Sequence, residues 1–137
     1  MKIKFLSTGN SPDYYGFEGE IVTAYKDGQA DFFDLSGLAE GDEFEGIGEK
    51  DADGELQPVL GMPGSQVIRD AYRDSASELH VTLCQAVGPG HWGETAETDS
   101  ADYDPDAIQV PLNRHGVGKP WALTRLGKVN PITGEVL

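Results

Sequence analysis

The dipeptide Asp27-Gly28 constrains the fold more than any other feature of this sequence, because it separates two runs with the composition of β-strands. Residues 20–25 precede it and residues 29–35 follow it, and both runs are rich in β-branched or aromatic residues. A type I′ turn needs positive φ at both central positions, which favours Asp-Gly. The sequence therefore predicts a tight hairpin that pairs Ile21–Lys26 with Gln29–Asp34.

Further strands are predicted on both sides of this hairpin. Residues 2–7 alternate polar and apolar side chains with the period of two that a half-buried strand shows. Segments 66–72 and 78–86 predict a second hairpin, connected by residues 74–77, and segments 42–47 and 107–110 predict two short strands. The residues expected to be buried in and beside this second hairpin are Val67, Ile68, Tyr72, Leu79, Val81, Leu83 and Val87, whereas His80, Thr82 and Cys84 share the other face of its second strand.

Length and composition allow one modest core. A chain of 137 residues is near the most common domain size, and its 18 glycines and 8 prolines indicate that much of it is turn and loop. Residues 48–64 carry glycine, proline and aspartate without periodicity, which predicts a long exposed loop or a mobile flap. We expect a mainly β fold in which residues 1–110 form a small antiparallel β-sandwich or barrel-like body.

The character of the chain changes after Pro111. Residues 1–110 hold 23 acidic and 6 basic residues, net −17, whereas residues 111–137 hold 4 basic residues and 1 acidic residue, net +3. The second segment is rich in proline and glycine and has isolated apolar residues without a core-forming pattern. We interpret residues 111–137 as an extended basic arm that lies on a neighbouring copy or on another acidic partner, with a solvated tail as the alternative.

The arm and one aromatic residue of the body supply the candidate interaction residues. A tail that only extends into solvent rarely needs a tryptophan, and residues 111–137 contain one. The aromatic, aliphatic and basic side chains of the arm are therefore the expected anchors. Truncation at Val110 should then leave a folded body that no longer assembles. The candidates are Trp92, Arg114, Lys119, Trp121, Leu123, Arg125, Leu126 and Lys128.

Charge and composition exclude several classes of protein. The formal net charge of −14 opposes direct binding to nucleic acid or to an anionic membrane. No stretch approaches the roughly 20 apolar residues of a membrane span, and we expect neither a membrane anchor nor an export signal. Cys84 is the single cysteine, so an intrachain disulfide is impossible and a disulfide-based secreted scaffold is excluded.

The residues that could carry chemistry form no complete motif. His80 and Cys84 share a strand face, but a packed thiol beside a capped or exposed histidine is the expected arrangement. Residues 49–55 resemble the first half of a calcium loop, yet Leu60 stands where the bidentate acid should be. A second acidic run, residues 94–106, is interpreted as a solvated loop or an acidic docking face. The sequence has no P-loop, GxSxG, HExxH or GxGxxG motif, and we expect neither an enzyme nor a bound metal or cofactor.

Several patches of residues 1–110 resemble a group of phage proteins. They are Asp13-Tyr14-Tyr15, Phe33-Asp34-Leu35-Ser36, Ile68-Arg69-Asp70-Ala71-Tyr72, Leu79-His80-Val81-Thr82-Leu83-Cys84-Gln85, Gly88-Pro89-Gly90-His91-Trp92 and Asp102-Tyr103-Asp104-Pro105. These patches are similar to small uncharacterised proteins encoded in tail-gene modules of tailed bacteriophages and prophages. The resemblance implies a role in a virion that is assembled in the host cytoplasm, and it carries over no catalytic or ligand residue.

Two functions therefore follow as hypotheses. The first is a structural or accessory protein of the phage tail tip or baseplate, which contacts other virion proteins or copies of itself and belongs to an oligomer or larger assembly. The second is a soluble acidic inhibitor that imitates DNA and binds a host nucleic-acid-binding defence protein. An enzyme ranks third.

Overall fold

The computed structural model describes residues 1–9, 11–42, 67–88, 94–109, 121–131 and 133–137. These residues form nine β-strands and one short 3₁₀ turn, Ser100–Asp102, and they contain no α-helix. The predicted mainly β fold is confirmed. The strands are β1 (Lys2–Thr8), β2 (Tyr14–Glu18), β3 (Ile21–Lys26), β4 (Gln29–Asp34), β5 (Ile68–Arg73), β6 (Leu79–Gly88), β7 (Thr98–Asp99), β8 (Trp121–Thr124) and β9 (Gly127–Val129).

The larger of the two sheets that the described residues form is built around β6. Its strand order is β7-β1-β6-β8-β9, and β5 also pairs with β6. The β1–β6 ladder is parallel, with Lys2 opposite His80 and Thr8 opposite Ala86, whereas the other ladders are antiparallel. An antiparallel body was expected, and this parallel pair was not foreseen. A central strand with neighbours on both sides is buried on both faces, and β6 is buried from Val81 to Val87.

The smaller sheet has the order β2-β3-β4 and contains the predicted Asp27-Gly28 hairpin. Asp27 has φ 51° and Gly28 has φ 78°, so both central residues adopt the positive φ that the turn requires. Lys26 lies opposite Gln29 and Ile21 opposite Asp34. The hairpin and its register are confirmed.

The second predicted hairpin, β5–β6, is also confirmed, but one of its residues was placed on the wrong face. Tyr72 was expected to be buried and is 47 % exposed. A β-bulge between Ile68 and Asp70 adds a residue to β5, so the alternation reverses after it and Ala71 points inward. The other predicted core residues of this region, Val67, Ile68, Leu79, Val81, Leu83 and Val87, are buried.

Aromatic side chains join the two sheets. Tyr15 is buried, and its hydroxyl lies 2.6 Å from the Cys84 carbonyl oxygen and 3.1 Å from that of Val67. The Tyr103 hydroxyl oxygen accepts a hydrogen bond from the Tyr15 N–H at 3.0 Å, and the Tyr103 ring stacks on Phe5 with centroids 5.6 Å apart. Burial raises the pKa of Tyr103 to about 12. The core therefore lies between the small sheet and the β1–β6 ladder.

The predictions for the remaining segments have different outcomes. The strand predicted at residues 107–110 is wrong for residues 107–109, which are not in a strand, and the short strand β7 was not predicted. Residues 43–47 of the predicted strand at 42–47 and the whole predicted loop at 48–64 lie outside the described residues.

The C-terminal segment contributes to the core. Its strand β8 pairs with the end of β6, and Ala122, Thr124 and Val129 are at most 2 % exposed. No core-forming pattern was predicted for residues 111–137, yet Ala122 belongs to the central hydrophobic cluster. The predicted boundary at residues 110 and 111 lies outside the described residues.

Candidate functional site

The candidate site is built on the β8–β9 hairpin. Thr124 lies opposite Gly127, which has φ 91°, and Arg125 and Leu126 form the turn between them. The Leu126 N–H donates to the Thr124 hydroxyl at 3.1 Å. A glycine at the positive φ position after the turn lets the chain reverse without a steric cost. The turn therefore projects Arg125 and Leu126 at the tip of the hairpin.

Alternation divides the hairpin into two faces. Ala122, Thr124 and Val129 point into the protein, whereas Trp121, Leu123 and Lys128 lie on the other side. Lys128 is opposite Leu123, and its Nζ lies 4.6 Å from the centroid of the Trp121 ring. This distance is typical of a cation–π contact. We call Trp121, Leu123 and Lys128, with Leu126 at the tip, the hairpin face.

Gly88 and Gln85 of β6 hold the hairpin face in place. Gly88 is opposite Trp121, and a Cβ atom at Gly88 would lie 2.7 Å from Cζ2 of the indole ring. The ring therefore rests directly on the backbone of β6, where only glycine leaves room. The Gln85 side-chain amide donates to the Leu123 carbonyl oxygen at 3.1 Å.

Arg125 binds the protein's own acidic body. Its Nε and Nη2 atoms lie 2.7 Å and 2.6 Å from the two carboxylate oxygens of Asp106, and its backbone N–H donates to the Pro105 carbonyl oxygen at 2.7 Å. This bidentate contact is the strong form of an arginine–carboxylate pair, and it lowers the pKa of Asp106. The attraction between the basic segment and the acidic body therefore operates within one chain at this residue.

Five of the eight predicted interaction residues come together in this hairpin: Trp121, Leu123, Arg125, Leu126 and Lys128. Leu126 is 52 % exposed, whereas Trp121 and Leu123 are half-buried and Arg125 is engaged by Asp106. The other three, Trp92, Arg114 and Lys119, lie outside the described residues.

Sequence reasoning missed the role of the last residues. Val136 forms an antiparallel bridge with Val129, and the Leu137 N–H donates to the Lys128 carbonyl oxygen at 2.9 Å. The C-terminus therefore lines the edge of β9 and brings Leu137, which is 64 % exposed, beside Lys128. A two-residue pairing with an adjacent strand leaves no periodicity that a sequence pattern could reveal.

His80 and Cys84 do not form a nucleophile and base pair. The two ring nitrogens of His80 lie 2.8 Å from an Asp74 oxygen and 2.6 Å from a Glu97 oxygen, and the Tyr72 ring stacks on the imidazole at 4.6 Å. Asp74, followed by Glu97, raises the pKa of His80, because both carboxylates stabilise the imidazolium. Burial raises the pKa of the Cys84 thiol, which keeps it in the unreactive protonated form.

The acidic runs supply carboxylates, which are the side chains that calcium binds. Among the described residues, no group of three histidine, cysteine, aspartate or glutamate side chains is placed to hold a metal ion. In the run at residues 94–106, Asp99 accepts a hydrogen bond from the Ala101 N–H, and Asp104 accepts one from the Asp106 N–H. The calcium-like run at residues 49–55 lies outside the described residues.

Comparisons with protein-family models, with curated proteins and with solved structures found no match to this chain. In the described part of the chain, no helix is long and apolar enough to cross a membrane.

Proposed function

We propose that this chain is a structural or accessory protein of a bacteriophage particle, placed in the tail tip or baseplate, and that it acts through protein–protein contacts of the hairpin face. One observation carries the proposal: the hairpin face presents Trp121 and Leu126 to the surface next to the cation of Lys128. Tryptophan is among the residues that are enriched as anchors of protein interfaces.

The construction of the hairpin supports this use of its face. Its inner side is fixed by the buried Ala122 and Val129, and its tip is fixed by the Arg125–Asp106 pair. A surface that is held rigidly loses little conformational entropy when a partner binds. The resemblance of residues 1–110 to proteins of tail-gene modules favours a partner within a phage particle.

The proposal is tested by incorporation into particles. A phage or prophage deleted for this gene is complemented with the wild-type chain, with Leu126→Asp or with Gln29→Glu. Gln29→Glu is the matched control, because it also adds one negative charge at an exposed residue. Quantitative mass spectrometry of purified particles then gives the number of copies of the chain per particle.

We expect a fixed copy number for the wild type and for the control, and a reduction of at least tenfold for Leu126→Asp. Absence of the wild-type chain from particles would contradict the proposal. Equal incorporation of all three chains would show that the hairpin face is not the contact.

The alternative proposal is a soluble acidic inhibitor that imitates DNA, which the net charge of −17 on residues 1–110 suggests. Such mimicry needs carboxylates that remain available in a row spaced like phosphates. Several carboxylates of the described residues instead pair with cations of the same chain, among them Glu20 with Arg73, Glu94 with Lys4 and Asp106 with Arg125. Competition with duplex DNA for a host nucleic-acid-binding protein would favour this alternative.

A further inference from the structure

The outer face of the small sheet is a second surface with exposed aromatic residues. The inner side of this sheet holds Val22, Ala24 and Phe33 in the core. The registers of β2, β3 and β4 place the other side chains in three rows across the sheet. These rows are Tyr14–Tyr25–Ala30, Gly16–Thr23–Phe32 and Glu18–Ile21–Asp34, and we call them together the sheet face.

Phe32 lies in the middle row of the sheet face. Its side chain is 73 % exposed, more than the other exposed large hydrophobic side chains of the described residues. Tyr14 and Tyr25 stack beside it in the next row, with ring centroids 4.5 Å apart, and the Tyr25 ring lies over Gly16. Exposed apolar side chains that lie together, and not singly, mark interaction surfaces.

The charges of the sheet face and the hairpin face are opposite. Among the nine residues of the sheet face, the charged side chains are Glu18 and Asp34, both acidic. On the hairpin face, the charged side chain is Lys128. Each face thus combines exposed aromatic or aliphatic groups with charge of one sign.

We propose that the sheet face of one copy binds the hairpin face of a second copy, so that copies of this chain join head to tail. Two sheet faces together would bring Glu18 and Asp34 against the same carboxylates, and two hairpin faces would bring Lys128 against Lys128. Opposite charges meet only when unlike faces pair. A contact between two different surfaces of one chain builds a ring if the rotation closes and an open filament if it does not.

This inference rests on the proposed function, because it names the partner of the hairpin face as another copy of the chain. It is tested with purified full-length chain, independently of particle incorporation. Sedimentation velocity gives the mass of the species over a range of concentrations for the wild type, for a sheet variant, Phe32→Asp, and for a hairpin variant, Leu126→Asp combined with Lys128→Glu. All substituted side chains are exposed, and thermal melts check that each variant is folded.

The decisive measurement is an equimolar mixture of the two variants. The sheet variant retains an intact hairpin face, and the hairpin variant retains an intact sheet face. We expect the wild type to form species larger than dimers, each variant alone to lose at least tenfold in association constant, and the mixture to stop at heterodimers. Gln29→Glu is the control, because it adds an acid to the same strand β4 on the opposite side of the sheet, and it should associate like the wild type.

A wild type that stays monomeric up to about 1 mM, where even weak complexes form, would overturn the inference. A folded sheet variant that associates like the wild type, or variants that do not bind each other in the mixture while the wild type associates, would also overturn it. These outcomes leave the proposed function standing if Leu126→Asp is still lost from particles. A chain that associates head to tail and yet is absent from particles would instead contradict the proposed function alone.

Discussion

Substitution of Gly88 tests whether the packing of the Trp121 ring on β6 holds the hairpin face in place. In Gly88→Ala, the new methyl group would lie 2.7 Å from Cζ2, 2.8 Å from Cε2 and 2.9 Å from Nε1 of the Trp121 ring. Ordinary contacts begin near 3.4 Å, so the ring has to move by about 0.7 Å or the strands have to separate. The substitution therefore strains the pairing of β6 with β8.

The expected magnitude follows from two opposing effects. Overpacking a well-packed site costs about 1–3 kcal/mol. Replacing glycine by alanine where φ is not positive, as at Gly88, stabilises by about 0.4–1 kcal/mol through the unfolded state. The clash is larger, so we expect a net loss of about 1–2 kcal/mol. In a chain of 137 residues, this loss should lower Tm by roughly 3–8 °C.

A double-mutant cycle with Trp121→Leu isolates the contact. Without the indole ring, the clash is relieved and only the effect on the unfolded state remains, so Gly88→Ala should then be neutral or stabilising. Thermal unfolding followed by circular dichroism measures all four proteins. If Gly88→Ala is equally destabilising in the Trp121→Leu background, or does not destabilise the wild type at all, the Trp121 ring does not pack on the backbone at Gly88 as described.

Other predictions concern the core, the pH dependence, the C-terminal segment and metal binding. Tyr15→Phe removes the hydroxyl that bonds the Cys84 carbonyl, and we expect a loss of about 1–2 kcal/mol in urea unfolding; an unchanged midpoint would contradict it. Asp74 and Glu97 raise the pKa of His80 in the folded protein, so protonated His80 stabilises the fold. This stabilisation is complete below about pH 6.5, the pKa of His80 in the unfolded chain, and it disappears as the pH rises through the folded pKa. The Tm difference between wild type and His80→Gln should therefore shrink from about pH 6 to about pH 9. A constant difference would show that Asp74 and Glu97 do not stabilise the protonated His80. The sequence predicts that truncation after Val110 leaves a folded body, but the truncation removes the buried side chains of Ala122 and Val129, so Tm should fall; an unchanged Tm would mean that residues 1–110 are stable without the hairpin. A chelator should leave Tm unchanged, because Leu60 stands where a calcium loop needs its bidentate acid, and stabilisation above about 1 kcal/mol by millimolar calcium would show a site.

Features that depend on neighbouring residues could be predicted from the sequence. The turn at Asp27-Gly28 needs only the local preference for positive φ, and it set the register of β3 with β4 correctly. The β5–β6 hairpin was likewise predicted, because its two strands are adjacent in the chain. Even there, the bulge after Ile68 turned Tyr72 outward, since one extra residue reverses every later side chain of a strand.

The candidate interaction residues were predicted in part. Trp121, Leu123 and Lys128 were selected by residue type and by the change of charge along the chain, and the structure places them on one face. Their support could not be predicted, because Gly88 lies far away in sequence and its role depends on the pairing of β8 with β6. The exposure of Phe32 also follows from the sheet's orientation, which puts Phe33 in the core.

The sequence by itself determined the mainly β character, the two hairpins, the strong negative charge of the body and the residue types of the candidate surface. Only the tertiary structure decided the parallel pairing of β1 with β6 and the pairing of the β8–β9 hairpin with the end of β6. Both depend on contacts between distant segments, which no local pattern encodes, because backbone hydrogen bonds of an isolated strand are equally available to any partner. Burial of Ile3, Ala122 and Val129 against the shared core selects the pairing that forms.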